Sequence, residues 1–573
     1  MRKITSFILG ALALGFVWSS PAQAQSGCQY IAAGAVLTPG QWNDCFSIKQ
    51  DYPAPITIQP GTLTNQLNTQ TSNYTIESSD CGYTIQAGTG ATGFFTVTIP
   101  SVTGFPATCS VEIVNGDSTR GKGISGITIH TQVLWPLQAM QVSIVNGAWT
   151  LTKDPGRWEV PGGTTNLYTD FTNGTDTLGA TDGLASGSSA FKTVEKALEE
   201  LEDQFDWGAV TQSVVVVNMA ANTVDAQGIH YAPHDLSGAS GGAALQIVGA
   251  SLAVTGAVSN AGACEITVSS TSTYSANQVV SVYGVSGATG CNGTWQVTKT
   301  DSTHLTLQST TFGGSYTSGG TVTNGSVFNP SGSDGAACYF GTVIQFQNVY
   351  FQGSQNALHP QWGCKIYLNA GNIFGGSSIA GNSIYIDSYG QVRLEADIGI
   401  AHGTPVSFLE ISNAGLFLAD FAVNINILPG LNPTYSEPFV WTLNQGLANF
   451  SGITINTNSN TVTAQRCESD SEGLLISATG NANTYFPGTS NCTLTNGGVI
   501  DNSVALGTGF LAGIAYASLP GPVTGQVAYI SDGKSSNCGD SACTTWGTTI
   551  TGGGGSLKLM AWFNGSYWTL IGK

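Results

Sequence analysis

Three charged residues stand close together in a chain that has few. Arg393, Glu395 and Asp397 fall in the run VRLEAD, whereas charged residues make up only 9% of the 573. Paired carboxylates can pass protons, and a guanidinium can neutralise an anion, so this grouping is the first place to look for chemistry. On an extended strand the three share one face, with Val392, Leu394 and Ala396 on the other. Asp387 precedes the same turn, and Glu410 and Asp420 lie about one strand repeat further on. The plainer reading is a solvated outer face with an Arg–Glu ion pair. Setting Ser388 against Ser412 puts Ile411 opposite Asp387 and Phe417 opposite Arg393, which weakens a shared site. There is no G-x-S-x-G, H-E-x-x-H or P-loop.

The stretch that would position these groups runs from Gly341 to about Thr484. Short apolar or alternating runs recur there, broken by Gly, Asn and Ser. Val343, Ile366, Val392 and Leu416 open comparable strands at a period of 23 to 26 residues, the mark of a solenoid. Strand-rich composition without helical periodicity makes it a β-solenoid. Stacked rungs bring equivalent positions about 4.8 Å apart, which is how separate carboxylates would meet.

The remaining chain divides around that array. Residues 1–24 have a basic start at Arg2 and Lys3, an apolar core at Ile8 to Val17 and a small-x-small site at Ala22 to Ala24, the pattern of a secretory signal peptide. Without it, 14 Lys+Arg face 34 Asp+Glu, a net charge of −20, so nucleic acid is a poor partner. No later run is long and apolar enough to be a transmembrane segment.

The twelve Cys fit an oxidising, extracellular or cell-surface location, with the periplasm as an alternative. Taken as neighbours they pair Cys28–Cys45, Cys81–Cys109, Cys264–Cys291, Cys338–Cys364, Cys467–Cys492 and Cys538–Cys543. Residues 25–160 read as an N-terminal β module and 515–573 as a C-terminal one. Asn146-Gly147, Asn292-Gly293 and Asn564-Gly565 each suggest a tight hairpin. A Trp follows each: Trp149, Trp295 and Trp568. These rings fill small cores or, less simply, form a sugar platform.

Residues 165–502 form the solenoid, interrupted at 252–323 by a small β domain with its own alternation and Cys pair. Phe191, Val194, Leu198, Leu201 and Phe205 make one apolar stripe, which predicts a helix over 190–206 capped by Ser188 or Ser189.

A strand, a Gly/Asp/Ser loop and this helix, placed just before a β-solenoid, resemble the opening of right-handed parallel β-helix proteins of the pectin-lyase-like class. The inserted and terminal modules are similar to those of phage tail-fibre and tailspike proteins. The resemblance implies an all-β fold whose helix plugs the open end of the core, and it allows a homotrimer. It implies either a glycan-binding surface or a polysaccharide lyase or glycoside hydrolase acting on an outer sheet face. In such a lyase, Arg393 or a bound cation would face a uronate. In a hydrolase, two carboxyls would stand about 5–9.5 Å apart. No cofactor is expected beyond Ca²⁺, for which Asp170, Asp176 and Asp182 are candidates, although their spacing matches no EF-hand. The first expectation is binding of a polysaccharide or cell-surface glycan. Polysaccharide cleavage is the alternative, and a purely structural envelope role is the third.

Overall fold

The structure is a computed structural model. It describes residues 66–501 apart from 89–92, 127–130, 160–162, 178, 207–212, 232–244, 353–354, 376–380, 402–404, 420 and 479–480, together with the strands of a C-terminal sheet and a few residues beside them. The expected signal peptide, Cys28, Cys45, Cys538, Cys543, Asp420 and Asn564-Gly565 lie outside the described residues.

Three parallel sheets build a β-helix. Its first face has ten strands, from Gly163–Thr169 to Val499–Asp501. Its second face has seven, from Thr223–Asp225 to Ile453–Asn456. Its third face has eight, from Ile229–Tyr231 to Thr493–Leu494. From Val343 onward the chain visits the faces in that order and then turns a corner into the next rung.

Alternate side chains point inward. Ile344, Ile366, Val392, Phe417, Ala448 and Leu475 stack in register and are all buried. Burying a large apolar side chain contributes about 1.5–3 kcal/mol, so this column is a main source of stability.

The register corrects the expected alignment by one residue. Phe417 pairs with Val392, and Arg393 pairs with Leu418 and Tyr367. The inward stack decides this, because a one-residue slip would turn Phe417 out to water.

The helix is shorter than expected, Val194–Gln204, and Thr193 caps it by accepting from the Lys196 amide. Ser188 and Ser189 belong instead to a 3-10 turn, Gly187–Ser189. Val194, Leu198 and Leu201 pack into the solenoid core together with Phe191 and Phe205 at the ends. Trp135, from the N-terminal module, joins that core and stacks on Trp158 at 5.6 Å.

That module has its own core, between one sheet of five strands and one of four. Asn146 and Gly147 both have positive φ and join the antiparallel strands Ala139–Val145 and Ala148–Lys153, as the sequence suggests.

Between Leu245–Val248 and Ser326–Phe328 the chain makes a seven-stranded antiparallel excursion from Ser251 to Thr323. It lies over the second face. A Cβ on Gly399 would come 2.2 Å from the Thr294 hydroxyl oxygen, and Tyr283 donates to Asn348 at 2.8 Å. Asn292-Gly293 is not a two-residue hairpin there. Asn292 is extended, and its amide bonds both backbone groups of Val285, closing a longer loop. Trp149, Trp295 and Trp568 are all buried, in keeping with their role as core residues.

Disulfides join Cys81–Cys109, Cys264–Cys291, Cys338–Cys364 and Cys467–Cys492. The last two each tie one rung to the next. The C-terminal sheet has three antiparallel strands, Val527–Gly533, Leu557–Phe563 and Trp568–Gly572. Among the described residues no helix is long and apolar enough to cross a membrane.

Candidate functional site

The corner between the third and first faces repeats one backbone device. Ser388-Tyr389, Asn413-Ala414, Asn444-Gln445 and Ser471-Glu472 are consecutive pairs with both φ values positive. Phe340-Gly341, Trp362-Gly363 and Asn496-Gly497 do the same. Left-handed backbone suits Asn and Gly best, so a bulky residue held there points to a use for its side chain. The pairs stack through backbone bonds, as where the Tyr389 amide donates to the Asn413 carbonyl at 3.0 Å. From Gly390 onward a third residue, always Gly, follows each pair. A Cβ on Gly390 would lie 2.1 Å from the Pro360 carbonyl oxygen, and one on Gly446 would lie 2.6 Å from that of Ile411. The corner therefore needs a residue without a side chain, to pass the previous rung closely.

Side chains at these tight corners project outward. Phe340, Trp362 and Tyr389 are 62%, 51% and 69% exposed, unusual for large rings. Phe340 and Trp362 lie 4.9 Å apart with their planes 30° from parallel, and Tyr339 flanks Trp362 at 5.6 Å. The aromatic strip runs into a polar cleft of about 390 Å³ lined by the four pairs from Ser388-Tyr389 to Ser471-Glu472.

The third face borders this corner and carries a second line of groups. Tyr385, Glu410, Trp441 and Glu468 occupy matching outward positions on successive rungs. His359 lies against the Tyr385 ring at 4.6 Å and bonds Asp334 through Nδ1 at 2.7 Å. An amide ladder holds this line from behind. The Asn356 backbone and side-chain amides donate to Asp334, the Asn382 backbone donates to Asn356, and the Asn382 side chain donates to Glu410 at 2.7 Å.

These surroundings push the carboxyls apart. Burial raises Glu410 above its ordinary value, and the negative charge of Glu437 adds to this while the Asn382 bond opposes it. For Asp334, burial acts upward, but the bonds and charge of His359 outweigh it and the net shift is down. Tyr385 is raised, chiefly by burial.

The residues singled out in the sequence are spread over this framework. Arg393 points outward on the first face, its guanidinium 5.7 Å from the Tyr367 ring centre. Its strand ends at Leu394, so Glu395 lies beyond it and the chain turns at Ala396. Asp397 stands at the approach to the second face, accepting from the Asn424 backbone and side chain at 2.7 and 2.9 Å. The three do not share one strand face as expected, because the corner intervenes.

Asp387 and Glu410 belong instead to the flank of the third face and the corner. Asp387 accepts from Ser412 at 3.0 Å and Asn413 at 2.6 Å, and Ser412 in turn lies 3.3 Å from the Tyr385 hydroxyl. Asp170, Asp176 and Asp182 face separate partners. Asp170 bonds its own loop, Asp176 bonds Thr193, and Asp182 receives Arg120.

Sequence reasoning missed the aromatic strip, His359, Tyr385 and Trp441. The recurring [Ser/Asn]-x-Gly before the first-face strands from Gln391 onward was the available signal for the corner. Nothing local marks the third-face line, since only the register aligns its members.

No family model and no curated protein matches the chain. Among solved structures it is similar to the tailspike protein gp49 from Pseudomonas phage LKA1, at 12% identity and a TM-score of 0.15, over 61% of this chain and 70% of that one. So distant a likeness adds nothing to the geometry.

Proposed function

We propose that this β-helix binds an extended polysaccharide along the flank formed by the corner and the third face. The observation that carries the reading is the exposed strip Phe340, Trp362 and Tyr389 leading into the polar cleft. Aromatic faces stack on the C–H faces of sugars, and amides and hydroxyls meet sugar hydroxyls as both donors and acceptors. The inserted sheet packs against the second face, at Gly399 and beside Asn348, rather than against this flank. The disulfides and the N-terminal stretch support action outside the cytoplasm.

Glu410 favours a second reading, hydrolysis of the bound glycan. A half-buried carboxyl held above its ordinary pKa fits a proton donor, and Glu437 is an exposed second carboxylate close enough to act on it. One experiment addresses both readings. The purified chain is incubated with a panel of polysaccharides while binding and the release of reducing ends or unsaturated products are followed together. Binding without release supports recognition alone. Release of reducing ends without unsaturated products, abolished by Glu410→Gln, supports hydrolysis. Binding to none of the panel contradicts both.

A further inference from the structure

The corner has a consistent chemistry that bears on which polysaccharide it takes. The residues around the cleft supply amides from Asn413, Asn444 and Gln445, hydroxyls from Ser388 and Ser471, and a carboxylate from Glu472. The residue before the pair is Asp387 at one rung and Asp470 at another. None of the seven corner pairs contains Lys or Arg.

Lys365 and Arg393 stand beyond the corner on the first face, and Arg466, at the edge of the third, donates to the Asn483 carbonyl. Carboxylates on neighbouring rungs are held by amides. Gln445 donates to Glu472 at 3.1 Å, and Asn496 donates to Asp470 at 2.8 Å. The third-face line adds Glu410 and Glu468 on either side of Trp441. A polymer lying here meets acceptors, amides and aromatic faces, and like charge if it is anionic.

We infer that the corner cleft takes an uncharged polysaccharide. Its hydroxyls are held by Asn413, Asn444, Gln445 and Glu472, its C–H faces by Trp362 and Tyr389, and uronate or sulfated polymers are turned away. This rests on the glycan reading above and narrows it. Carboxylates accept readily from sugar hydroxyls, whereas a ligand carboxylate or sulfate would stand against Glu472 and Asp470 without a cation to offset it. Such like-charge contacts cost enough to exclude a ligand that otherwise fits.

The test is titration calorimetry of the full chain at low ionic strength, against neutral probes (laminarin, xyloglucan and chitin oligosaccharides) and anionic ones (polygalacturonate and heparin). The expected result is binding to at least one neutral probe with little salt dependence, and none to the anionic pair. The double variant Asp470→Asn, Glu472→Lys should gain polygalacturonate binding by at least about tenfold, and salt should weaken that gain. Gln445→Lys, at the adjacent corner, should act in the same direction if the double variant fails to fold.

If the unaltered chain binds polygalacturonate as tightly as its best neutral ligand, the inference is overturned while the glycan reading stands. If neither charge-altered variant gains the anionic ligand, the inference is likewise overturned. If no probe of either class binds, the glycan reading falls and takes this one with it.

Discussion

The side-chain amide of Asn382 donates to Glu410 at 2.7 Å, joining the polar ladder behind the third face to the carboxyl on its surface. That bond favours the ionised form, yet burial and the Glu437 charge prevail and Glu410 sits above its ordinary value.

Between its ordinary pKa and the higher folded value, the folded state therefore holds a proton on Glu410 that the unfolded chain has released. Stability from this group is fully present below the ordinary pKa of 4.5 and falls as pH rises through the higher folded value. Glu410→Gln should remove this loss, leaving the protein at least as stable as the parent at neutral pH. Denaturant unfolding of both proteins across the acid-to-neutral range reads it directly. A parent whose stability over that range matches the variant's would show that Glu410 is not perturbed.

Arg120 joins the N-terminal module to the loop before the capping helix. Its Nε and Nη2 each lie 2.8 Å from Asp182, whose side chain is wholly buried. Arg120→Ala strands that carboxylate and should cost about 3–5 kcal/mol. Arg120→Ala, Asp182→Asn should recover part of the loss, because the buried charge is then gone. Thermal unfolding of both variants checks this, and an unchanged midpoint in the single variant would refute the coupling.

Gly390 and Gly313 separate close packing from a general effect of replacing glycine. A methyl on Gly390 meets the Pro360 carbonyl at 2.1 Å, while one on Gly313 meets nothing within 4 Å. Gly390→Ala should cost at least about 2 kcal/mol, and Gly313→Ala should stay within about 0.5 kcal/mol of the parent. Equal midpoints for the two in urea unfolding would mean that the rungs do not approach as described.

Much of this architecture is legible along the chain, because period-two alternation and a recurring Gly are local signals. The inward column of Ile366, Val392 and Phe417 follows from them, apart from the one-residue shift that packing imposed on Arg393. The helix stripe was readable too, although its cap fell to Thr193 once Phe191 had paired with the neighbouring strand. The candidate site was less legible. From Val343 onward, first-face strands begin at Val343, Lys365, Gln391, Leu416, Leu447, Leu474 and Val499, so these rungs vary from 22 to 31 residues. Tyr385, Glu410 and Trp441 then fall at unequal spacings and meet only through hydrogen-bonded register. Charge density pointed to VRLEAD, but the corner at Ala396 sends its carboxylates apart. Exposed aromatics drew no notice, because in sequence a ring at a left-handed turn looks like any other ring.

A glycan lying along the corner strip would stack on Trp362. Trp362→Ala removes an exposed ring that helps form the strip, so the fold should persist, as judged by an unchanged far-ultraviolet circular dichroism spectrum. Affinity electrophoresis in gels containing the best-bound polysaccharide compares its migration with that of the parent. Strong retardation of the parent is expected, with a loss of at least about tenfold in affinity for the variant, the scale of a central aromatic contact. A folded variant retarded as strongly as the parent would contradict that stacking.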